Sequence, residues 1–382
     1  MSYDLIGRVA ASGLRGRGGG WFPVARKWHA VRVEGGFPVV IANGGEGEPG
    51  SIKDRIVMTR RAADVVAGLA VAAEAVGARE AFVYVKGSHV AAAEALERAA
   101  PAAGEGLTVK VVRGEDSYIG GEETALLEYM EGRRAWPRPK PPLPAAVGLH
   151  GRPTLVQNVD TLARVPAAVA DPDGYRGRET ALVSLWGHVR WPGAYEVPLG
   201  TPLRRLVEDW GGGAPDGIGL IFPAGPSASP LTAAEADAPL DPNGLRALGS
   251  ALGTAAVLVV GRSTCPLAVG ASLARFFARE ACGQCPPCVM GTASLARIVS
   301  AIEAGAARPR ELADLAESAG FMSSHGYCAH ARTGAAAVTG LLSRVRASVE
   351  EHLAAGRCPR PNGDCGPFDP GSPELRAIEA LA

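Results

Sequence analysis

The chain has no excess charge of either sign. Lys and Arg together number 39, as do Asp and Glu, so the formal net charge is +0 at pH 7. Nucleic acids and anionic membranes attract strongly basic proteins, and nothing in this composition provides such a surface. We therefore expect no nucleic-acid partner and no binding to a charged membrane surface.

Long apolar runs are missing as well. The first residues lack the apolar core of a signal peptide, and the longest apolar stretches are broken by Glu74 or are too short to span a bilayer. A disulfide framework is also excluded, because Cys265, Cys358 and Cys365 are scattered over a long chain. We expect a cytoplasmic protein that does not insert directly into a membrane.

The four remaining cysteines form the most informative pattern. Cys282, Cys285 and Cys288 follow C-x-x-C-x-x-C spacing. Cys328 comes after 39 further residues. Three adjacent thiolates can surround one face of a small inorganic cluster and a distant fourth can close it, as in [4Fe–4S] sites. Zinc sites more often pair two C-x-x-C knuckles, so the spacing favours [4Fe–4S] and leaves zinc and chance clustering as the alternatives.

The apolar pattern divides the chain into three parts and a tail. Residues 1–175 alternate β-branched runs with Ala-rich helical periods, which predicts a doubly wound α/β domain. Residues 176–262 show strand and turn patterns that predict a small mixed β domain. Residues 263–353 are helical again and contain the four cysteines, so we expect the cluster among helices. Residues 354–382, rich in Pro and Gly, predict a tail over the surface.

Within the first part, three β-branched runs predict buried parallel strands at residues 37–43, 81–86 and 107–113. In an open α/β sheet, ligands bind beyond the carboxyl ends of the strands. The acidic turn at residues 43–50 follows the first of these strands and is therefore placed to contact a ligand.

Two glycine-rich stretches point to a cofactor that carries phosphate. The bare backbone of residues 13–23 could approach a phosphate or a flat ring, and the alternative is a plain flexible turn. This stretch is not a dinucleotide fingerprint, because Trp21 stands where the third glycine belongs. It is not a P-loop either, because Gly19 stands where the lysine belongs. Residues 118–126 form a turn entering a helix, whose free amides could receive a phosphate.

Together these segments resemble the flavin subunit of respiratory complex I, which is shared with NAD-linked hydrogenases and formate dehydrogenases. The resemblance covers roughly residues 10–350 and is carried by residues 13–28, 43–55, 118–142, 151–161, 280–288 and 328–330. It implies a Rossmann-like FMN-binding α/β domain, a β-grasp (soluble-ligand-binding) domain and a C-terminal helical bundle carrying a [4Fe–4S] cluster.

The resemblance also implies the cofactors and their contacts. FMN would be held by Gly16, Gly18, Lys27, Asn43, Glu46, Gly121, Glu122, Asn158 and Thr161. NADH would contact Phe22, Glu48, Tyr118, Glu123 and Lys140. The [4Fe–4S] cluster would be ligated by Cys282, Cys285, Cys288 and Cys328. The cofactors do the chemistry in this family, so no side chain is expected to be catalytic.

The chain departs from the family where the dinucleotide should bind. The family has Gly at Trp21, Asp at Gly45, aromatic residues at Ala30 and Leu143, and Asn at Gln157. An aromatic pair contributes about 0.5–1.5 kcal/mol beyond its buried area, so the loss of two rings should weaken NADH binding. Trp21 could occupy the nicotinamide position, act as a gate, or simply pack against Phe22 and Pro23.

Three hypotheses follow. In the first, the chain oxidises NADH at FMN and passes single electrons through the cluster to a partner, such as a ferredoxin or an iron–sulfur subunit, within a larger complex. In the second, the same cofactors exchange electrons with ferredoxin or another protein donor while Trp21 closes the NADH pocket. In the third, the chain is a non-catalytic metal-binding scaffold. Cys358 and Cys365 could be spare thiols, half of a shared metal site, or a labile disulfide.

Overall fold

The computed structural model describes residues 2–360 and 366–382, and the chain forms two compact units. The first unit consists of Met1–Gly47 and Ile52–Thr180, and the second of Glu48–Ser51 and Ala181–Ala382. The second unit thus contains both the predicted β-grasp part and the predicted helical part. Cys365 lies outside the described residues.

Four parallel strands form the sheet of the first unit: β1 (Val39–Gly44), β2 (Glu80–Lys86), β3 (Thr108–Gly114) and β4 (Thr154–Asn158). Their order across the sheet is β3-β2-β1-β4. The three predicted strands agree with β1, β2 and β3 to within two residues. Residues 39–42 of β1 are fully buried, and a strand buried on both faces favours such a continuous apolar run.

The helices of the first unit are α1 (Ser2–Ser12), α2 (Val24–Glu34), α3 (Lys53–Arg60), α4 (Ala62–Val76), α5 (Val90–Ala99), α6 (Glu123–Met130), α7 (Val159–Ala170) and α8 (Pro172–Arg176). Helices α2, α4, α5 and α7 pack against the sheet. This arrangement confirms the predicted α/β fold.

The strand register places polar side chains together at the carboxyl edge of the sheet. Asn43 near the end of β1 is paired with Asn158 at the end of β4. Because parallel strands end at the same edge, the loops that follow them also meet there. This edge carries the cavity described below.

A mixed sheet opens the second unit. Its strands are β5 (Thr180–Gly187), β6 (Gly193–Pro198), β7 (Ile218–Phe222), β8 (Leu231–Thr232) and β9 (Ala256–Gly261), in the order β6-β5-β9-β7-β8. Strand β9 is parallel to β5 and antiparallel to β7. Two short helices, α9 (Leu203–Arg205) and α10 (Pro242–Ala247), lie between the strands in sequence.

The helical part of the second unit contains α11 (Pro266–Arg279), α12 (Pro286–Glu303), α13 (Pro309–His325), α14 (Ala329–Arg344) and α15 (Arg346–Ala355). Helices α11 to α14 pack against one another as a bundle. Their shared core includes Leu273, Phe277, Ile298 and Met322, all almost fully buried. This arrangement confirms the predicted C-terminal helical bundle.

The C-terminal residues differ from the predicted surface tail. Phe368 is 1% exposed and packs edge-on against the rings of Trp186 and Phe222 at centroid distances of 6.1 and 5.5 Å. A further helix, α16 (Pro373–Glu379), follows and buries Ile378. The Pro and Gly content predicts turns correctly, but it does not show that two apolar side chains in this segment enter a core.

In the part of the chain that the structure describes, none of the helices is both long enough and apolar enough to cross a bilayer.

Candidate functional site

A cavity of about 330 Å³ lies at the carboxyl edge of the parallel sheet. Its volume is within the range of about 300–1,000 Å³ that is usual for small-molecule sites. The glycine-rich loop contributes Gly16, Gly18, Gly20, Trp21, Phe22 and Lys27. The ends of β1 and β4 contribute Asn43, Val156, Gln157 and Asn158. The start of α6 and the loop after it contribute Gly121, Glu122, Glu123 and Lys140.

The cavity brings together most of the residues to which the resemblance assigns FMN and NADH. Among the described residues, seven of the nine predicted FMN contacts line the cavity, and Glu46 and Thr161 do not. Of the five predicted NADH contacts, Phe22, Glu123 and Lys140 line the cavity. Tyr118 is not among the described lining residues, and Glu48 belongs to the second unit. Gly20 and Val156 also line the cavity, although the sequence did not predict them as cofactor contacts. Val156 lies inside a buried strand, where a sequence pattern indicates only core packing.

The glycine-rich loop is closed by backbone hydrogen bonds. The amide of Gly16 donates to the carbonyl of Phe22 at 2.9 Å. The amide of Arg17 donates to Oγ1 of the fully buried Thr161 at 2.7 Å, which fixes the loop to the start of α7. At Gly18, a Cβ atom would lie 3.1 Å from Cβ of Asn158. The loop therefore approaches α7 at a distance that leaves little room for a side chain.

The two asparagines at the strand ends are already engaged in holding loops. Asn43 donates to the carbonyl of Gly121 at 2.8 Å and accepts from the amide of Gly45 at 3.0 Å. Asn158 caps α7 by accepting from the amides of Asp160 and Thr161. Because such caps satisfy amides that have no partner inside the helix, the strand ends and the surrounding loops are held as one frame.

Glu46 has a similar positioning role. Its carboxylate accepts hydrogen bonds from the amides of Asp54 and Arg55, at 3.0 and 3.2 Å, in the first turn of α3. The Nδ2 of Asn158 donates to the Asp54 carboxylate at 2.8 Å. Glu46 and Thr161 therefore do not line the cavity, but their hydrogen bonds hold the start of α3 and the glycine-rich loop in position.

Two lysines and two glutamates meet at one side of the cavity. Lys27 donates to Glu123 at 3.0 Å, while Lys140 donates to Glu122 at 2.7 Å and to Glu123 at 2.9 Å. Burial alone would raise the pKa of Glu123, but Lys27 and Lys140 outweigh it and lower the pKa to about 2. Both lysines therefore face an ionised carboxylate at neutral pH.

Trp21 occupies an unusual backbone conformation in the cavity wall. Its φ of 49° lies in the left-handed region that favours glycine, and its side chain is only 6% exposed. The guanidinium of Arg17 lies over the indole, 4.1 Å from the ring centroid, and donates to Glu179 at 2.8 Å. Phe22, in contrast, is 49% exposed. The stacking partner seen for Trp21 is therefore Arg17, which the sequence did not indicate.

The three cysteines of the C-x-x-C-x-x-C pattern and Cys328 all belong to the second unit, with Cys282 in the loop between α11 and α12 and the other three at helix starts. Cys285 immediately precedes α12, Cys288 lies in its first turn, and Cys328 immediately precedes α14. Burial and the nearby thiols of Cys285, Cys328 and Cys282 together raise the pKa of the Cys288 thiol to about 12. Four sulfurs within electrostatic reach of one another cannot all ionise unless a positively charged group binds among them. This donor set therefore fits an iron–sulfur cluster.

Comparison with known proteins identifies the family. Residues 9–167 match the Nuo51 FMN-binding domain, residues 182–219 the SLBB domain, and residues 255–352 the NADH-ubiquinone oxidoreductase-F iron–sulfur binding region. The chain is 38% identical over 379 residues to the second F-type subunit of NADH-quinone oxidoreductase from Rhizobium meliloti, covering 93% of this chain and 90% of that protein. The chain belongs to the family of NADH-quinone oxidoreductase F-type subunits.

Other relatives agree with this membership. The F-type subunit of NADH-quinone oxidoreductase from Streptomyces coelicolor is 38% identical over 379 residues, covering 93% of this chain and 84% of that protein. A crystal structure of an NAD⁺-reducing [NiFe]-hydrogenase in the H₂-reduced state superimposes with a TM-score of 0.84 at 32% identity, covering 93% of this chain. The chain spans 62% of the length of that hydrogenase chain and 66% of the chain in the air-oxidised structure.

Membership of this family confirms the predicted cofactors and reaction class. The chain is an oxidoreductase subunit of the NADH dehydrogenase type, with an FMN-binding domain and an iron–sulfur binding region. The iron–sulfur match over the cysteine region favours a [4Fe–4S] cluster over zinc at those four residues. The match to components of larger assemblies also supports the expectation that this chain has partner subunits.

Proposed function

We propose that the chain oxidises NADH at FMN held in the cavity of the first unit, and passes electrons singly through a [4Fe–4S] cluster to a partner protein. The observation that carries this proposal is the cavity itself, which gathers three segments far apart in sequence within the region that matches an FMN-binding domain. When bound, FMN accepts two electrons as a hydride and releases them one at a time.

The residues of the cavity support specific roles. The glycines of the loop expose backbone amides that can approach the cofactor, and Lys27 supplies positive charge for its phosphate. Asn43 and Asn158 hold the strand-end loops, so we assign them the orientation of the cofactor. Glu46 and Thr161 support the site indirectly, because Glu46 holds the start of α3 and Thr161 holds the glycine-rich loop.

For the dinucleotide, we propose contacts with Phe22, Glu123 and Lys140. Phe22 lines the cavity and is half exposed, so its ring is accessible for stacking. Glu123 is ionised and held by two lysines, which makes it a good acceptor for hydroxyl groups. Glu48 and Tyr118 remain proposed contacts on the strength of the family resemblance.

We propose Cys282, Cys285, Cys288 and Cys328 as the cluster ligands, and a ferredoxin-like protein or an iron–sulfur subunit as the electron acceptor. Large apolar side chains next to these cysteines in sequence are exposed, including Met290 at 69% and Tyr327 at 47%. Exposed apolar groups beside a redox centre suit a partner surface. A cytoplasmic location is proposed because the cysteines of this chain need a reducing compartment.

An anaerobic spectral titration tests the proposed function. NADH should bleach the flavin absorbance of the reconstituted protein and then produce the electron paramagnetic resonance signal of a reduced cluster. NADPH and reduced ferredoxin, added to separate samples, identify the preferred donor. If NADH leaves the flavin oxidised in a sample with full flavin and iron content, NADH oxidation by this chain is ruled out.

The burial of Trp21 favours a second candidate function, in which the cofactors serve a protein donor and NADH is excluded. Trp21→Gly removes the indole and suits the left-handed backbone at this position. If Trp21 closes the site, kcat/KM for NADH should rise about tenfold or more, equivalent to about 1.4 kcal/mol. Trp191→Gly, which removes a 59% exposed indole in the second unit, is the control. An unchanged kcat/KM in Trp21→Gly would contradict gating.

Glu123→Gln should alter the acid stability of the protein. The pKa of Glu123 is about 2 in the folded chain, below its usual value of 4.5, so the ionised carboxylate contributes stability above pH 4.5. This stability is lost as the pH falls towards 2. The wild type should therefore lose more thermal stability than Glu123→Gln between pH 5 and about pH 3, as measured by calorimetry. Glu105→Gln, at an exposed position, should follow the wild type.

A further inference from the structure

A second group of metal-binding side chains lies in the second unit, apart from the four cysteines described above. It consists of Cys265 just before α11, His352 in α15, and Cys358 shortly after α15. One ligand atom from each residue lies within 4.8 Å of the others. Cys265 and His352 are fully buried, and Cys358 is half buried. The family match ends at residue 352, so Cys358 lies beyond it.

The distances between these atoms match those expected around one tetrahedral metal ion. Sγ of Cys265 lies 3.3 Å from Nε2 of His352 and 3.7 Å from Sγ of Cys358. Zinc ligands at about 2.3 Å for sulfur and about 2.0–2.1 Å for nitrogen place two sulfurs about 3.8 Å apart, and a sulfur and a nitrogen about 3.5 Å apart. Both thiols are free, and their separation is far longer than the about 2.05 Å of a disulfide bond.

The imidazole of His352 has the orientation and tautomer that a metal ligand needs. Its Nδ1 lies 2.7 Å from the carbonyl oxygen of Ser348, one turn earlier in α15. A carbonyl oxygen only accepts, so Nδ1 carries the proton and Nε2 presents a lone pair towards Cys265. A backbone carbonyl that fixes the second ring nitrogen in this way is the usual outer contact of metal-binding histidines.

The backbone around the group is held in place by close packing. Gly305 follows α12 with a φ of 68°, and a Cβ atom there would lie 2.2 Å from the amide nitrogen of Arg357 and 2.6 Å from the carbonyl oxygen of His352. The segment from His352 to Cys358 therefore lies directly against the end of α12. Such packing fixes the ligands before a metal binds and reduces the entropy lost on binding.

The electrostatics of the group favour a cation. Burial raises the pKa of the Cys265 thiol, the backbone amides of Ala268 and Leu267 lower it, and Cys358 raises it, so that the pKa is about 11. Without a metal, Cys265 is a neutral thiol that can donate to Nε2 of His352. A divalent ion would stabilise both thiolates, and the two protons would leave to solvent as the metal binds.

We propose that Cys265, His352 and Cys358 bind one zinc ion that fastens the end of α15 to the start of α11. Two sulfurs and one imidazole nitrogen are soft and borderline donors, which suit zinc better than magnesium or calcium. Three ligands leave one position for water or a fourth side chain. The site is structural, because it joins segments and is separate from the cavity residues.

Metal analysis of the full-length protein, purified with its FMN and cluster, tests the proposal. We expect about one zinc per chain in addition to about four irons, with an X-ray absorption spectrum showing at least two sulfurs at about 2.3 Å and one nitrogen at about 2.0 Å. His352→Gln and Cys358→Ser should each lower the zinc content at least tenfold while iron and FMN contents are retained. His29→Gln, at an exposed histidine of α2, should keep its zinc.

The outcomes separate the alternatives. Wild-type protein with full iron and flavin but no stoichiometric zinc would overturn the proposal, as would zinc that survives in both ligand variants. A mass lower by two hydrogens, traced to a Cys265–Cys358 disulfide, or a fifth iron in place of zinc, would also overturn it. The zinc content of the wild-type protein tests the proposal even if a variant fails to fold.

Discussion

Cys288→Ser should leave the chain with its flavin chemistry but without a route for electrons to leave. Cys288 lies in the first turn of α12 and is only 5% exposed, so no solvent-exposed residue can replace it as a ligand. Iron content should fall from about four ions per chain to near zero, because four Cys thiolates hold such a cluster and this variant has lost one of them. NADH should still reduce the FMN, but reduction of a protein acceptor should stop.

The measurements are iron analysis, the reduced-cluster resonance signal, and the rates with a small soluble oxidant and with a ferredoxin. Ala293→Ser is the matched control, since it changes an exposed residue of the same helix to which no role is assigned. It should keep iron and flavin at wild-type levels. A Cys288→Ser protein that retains about four irons and its protein-acceptor rate would remove Cys288 from the ligand set.

Gly121→Ala should weaken FMN binding with the cluster intact. A Cβ atom at Gly121 would lie 2.2 Å from the carbonyl oxygen of Gly45, so one of the two loops must move. Overpacking of this kind costs about 1–3 kcal/mol. The movement would also disturb the Asn43 hydrogen bond to the Gly121 carbonyl, and through it the cavity wall. We expect FMN affinity to fall at least about tenfold, equivalent to 1.4 kcal/mol.

Fluorescence titration of the flavin-free protein with FMN measures this effect, and calorimetry measures the stability cost. Gly7→Ala is the control, because a Cβ atom there meets nothing within 4 Å and alanine favours helix α1. It should bind FMN as the wild type does. Equal FMN affinity in Gly121→Ala would show that the loop pair at Gly45 and Gly121 does not shape the flavin site.

The strands and the cluster bundle could be predicted from the sequence for simple physical reasons. A parallel strand is buried on both faces, so β1 appears as the unbroken apolar run at residues 39–42. The helices around the cysteines bury residues at helical spacing, such as Leu295, Ile298 and Ile302. Both patterns are local, because each residue's burial follows from the period of its own element.

The flavin cavity was predictable in part. Glycines and acids at strand ends indicate a ligand site, and most of the residues selected on the family resemblance line the cavity. The indirect roles of Glu46 and Thr161 were not predictable, because Thr161 holds the amide of a residue 144 positions earlier in the chain. The stacking of Arg17 on Trp21 was also missed, since nothing in the sequence gives the left-handed backbone at Trp21.

The sequence by itself determined the fold class and the two cofactors, and it predicts the four cysteines as cluster ligands, because these depend on periodicity, on short motif spacing and on family resemblance. Only the tertiary structure showed which loop each polar side chain holds, and only it brought Cys265 together with His352, 87 residues later. Sequence spacing constrains ligands that share a turn or a helix. It cannot place donors that meet through the packing of separate helices, because that packing depends on contacts spread over the whole unit.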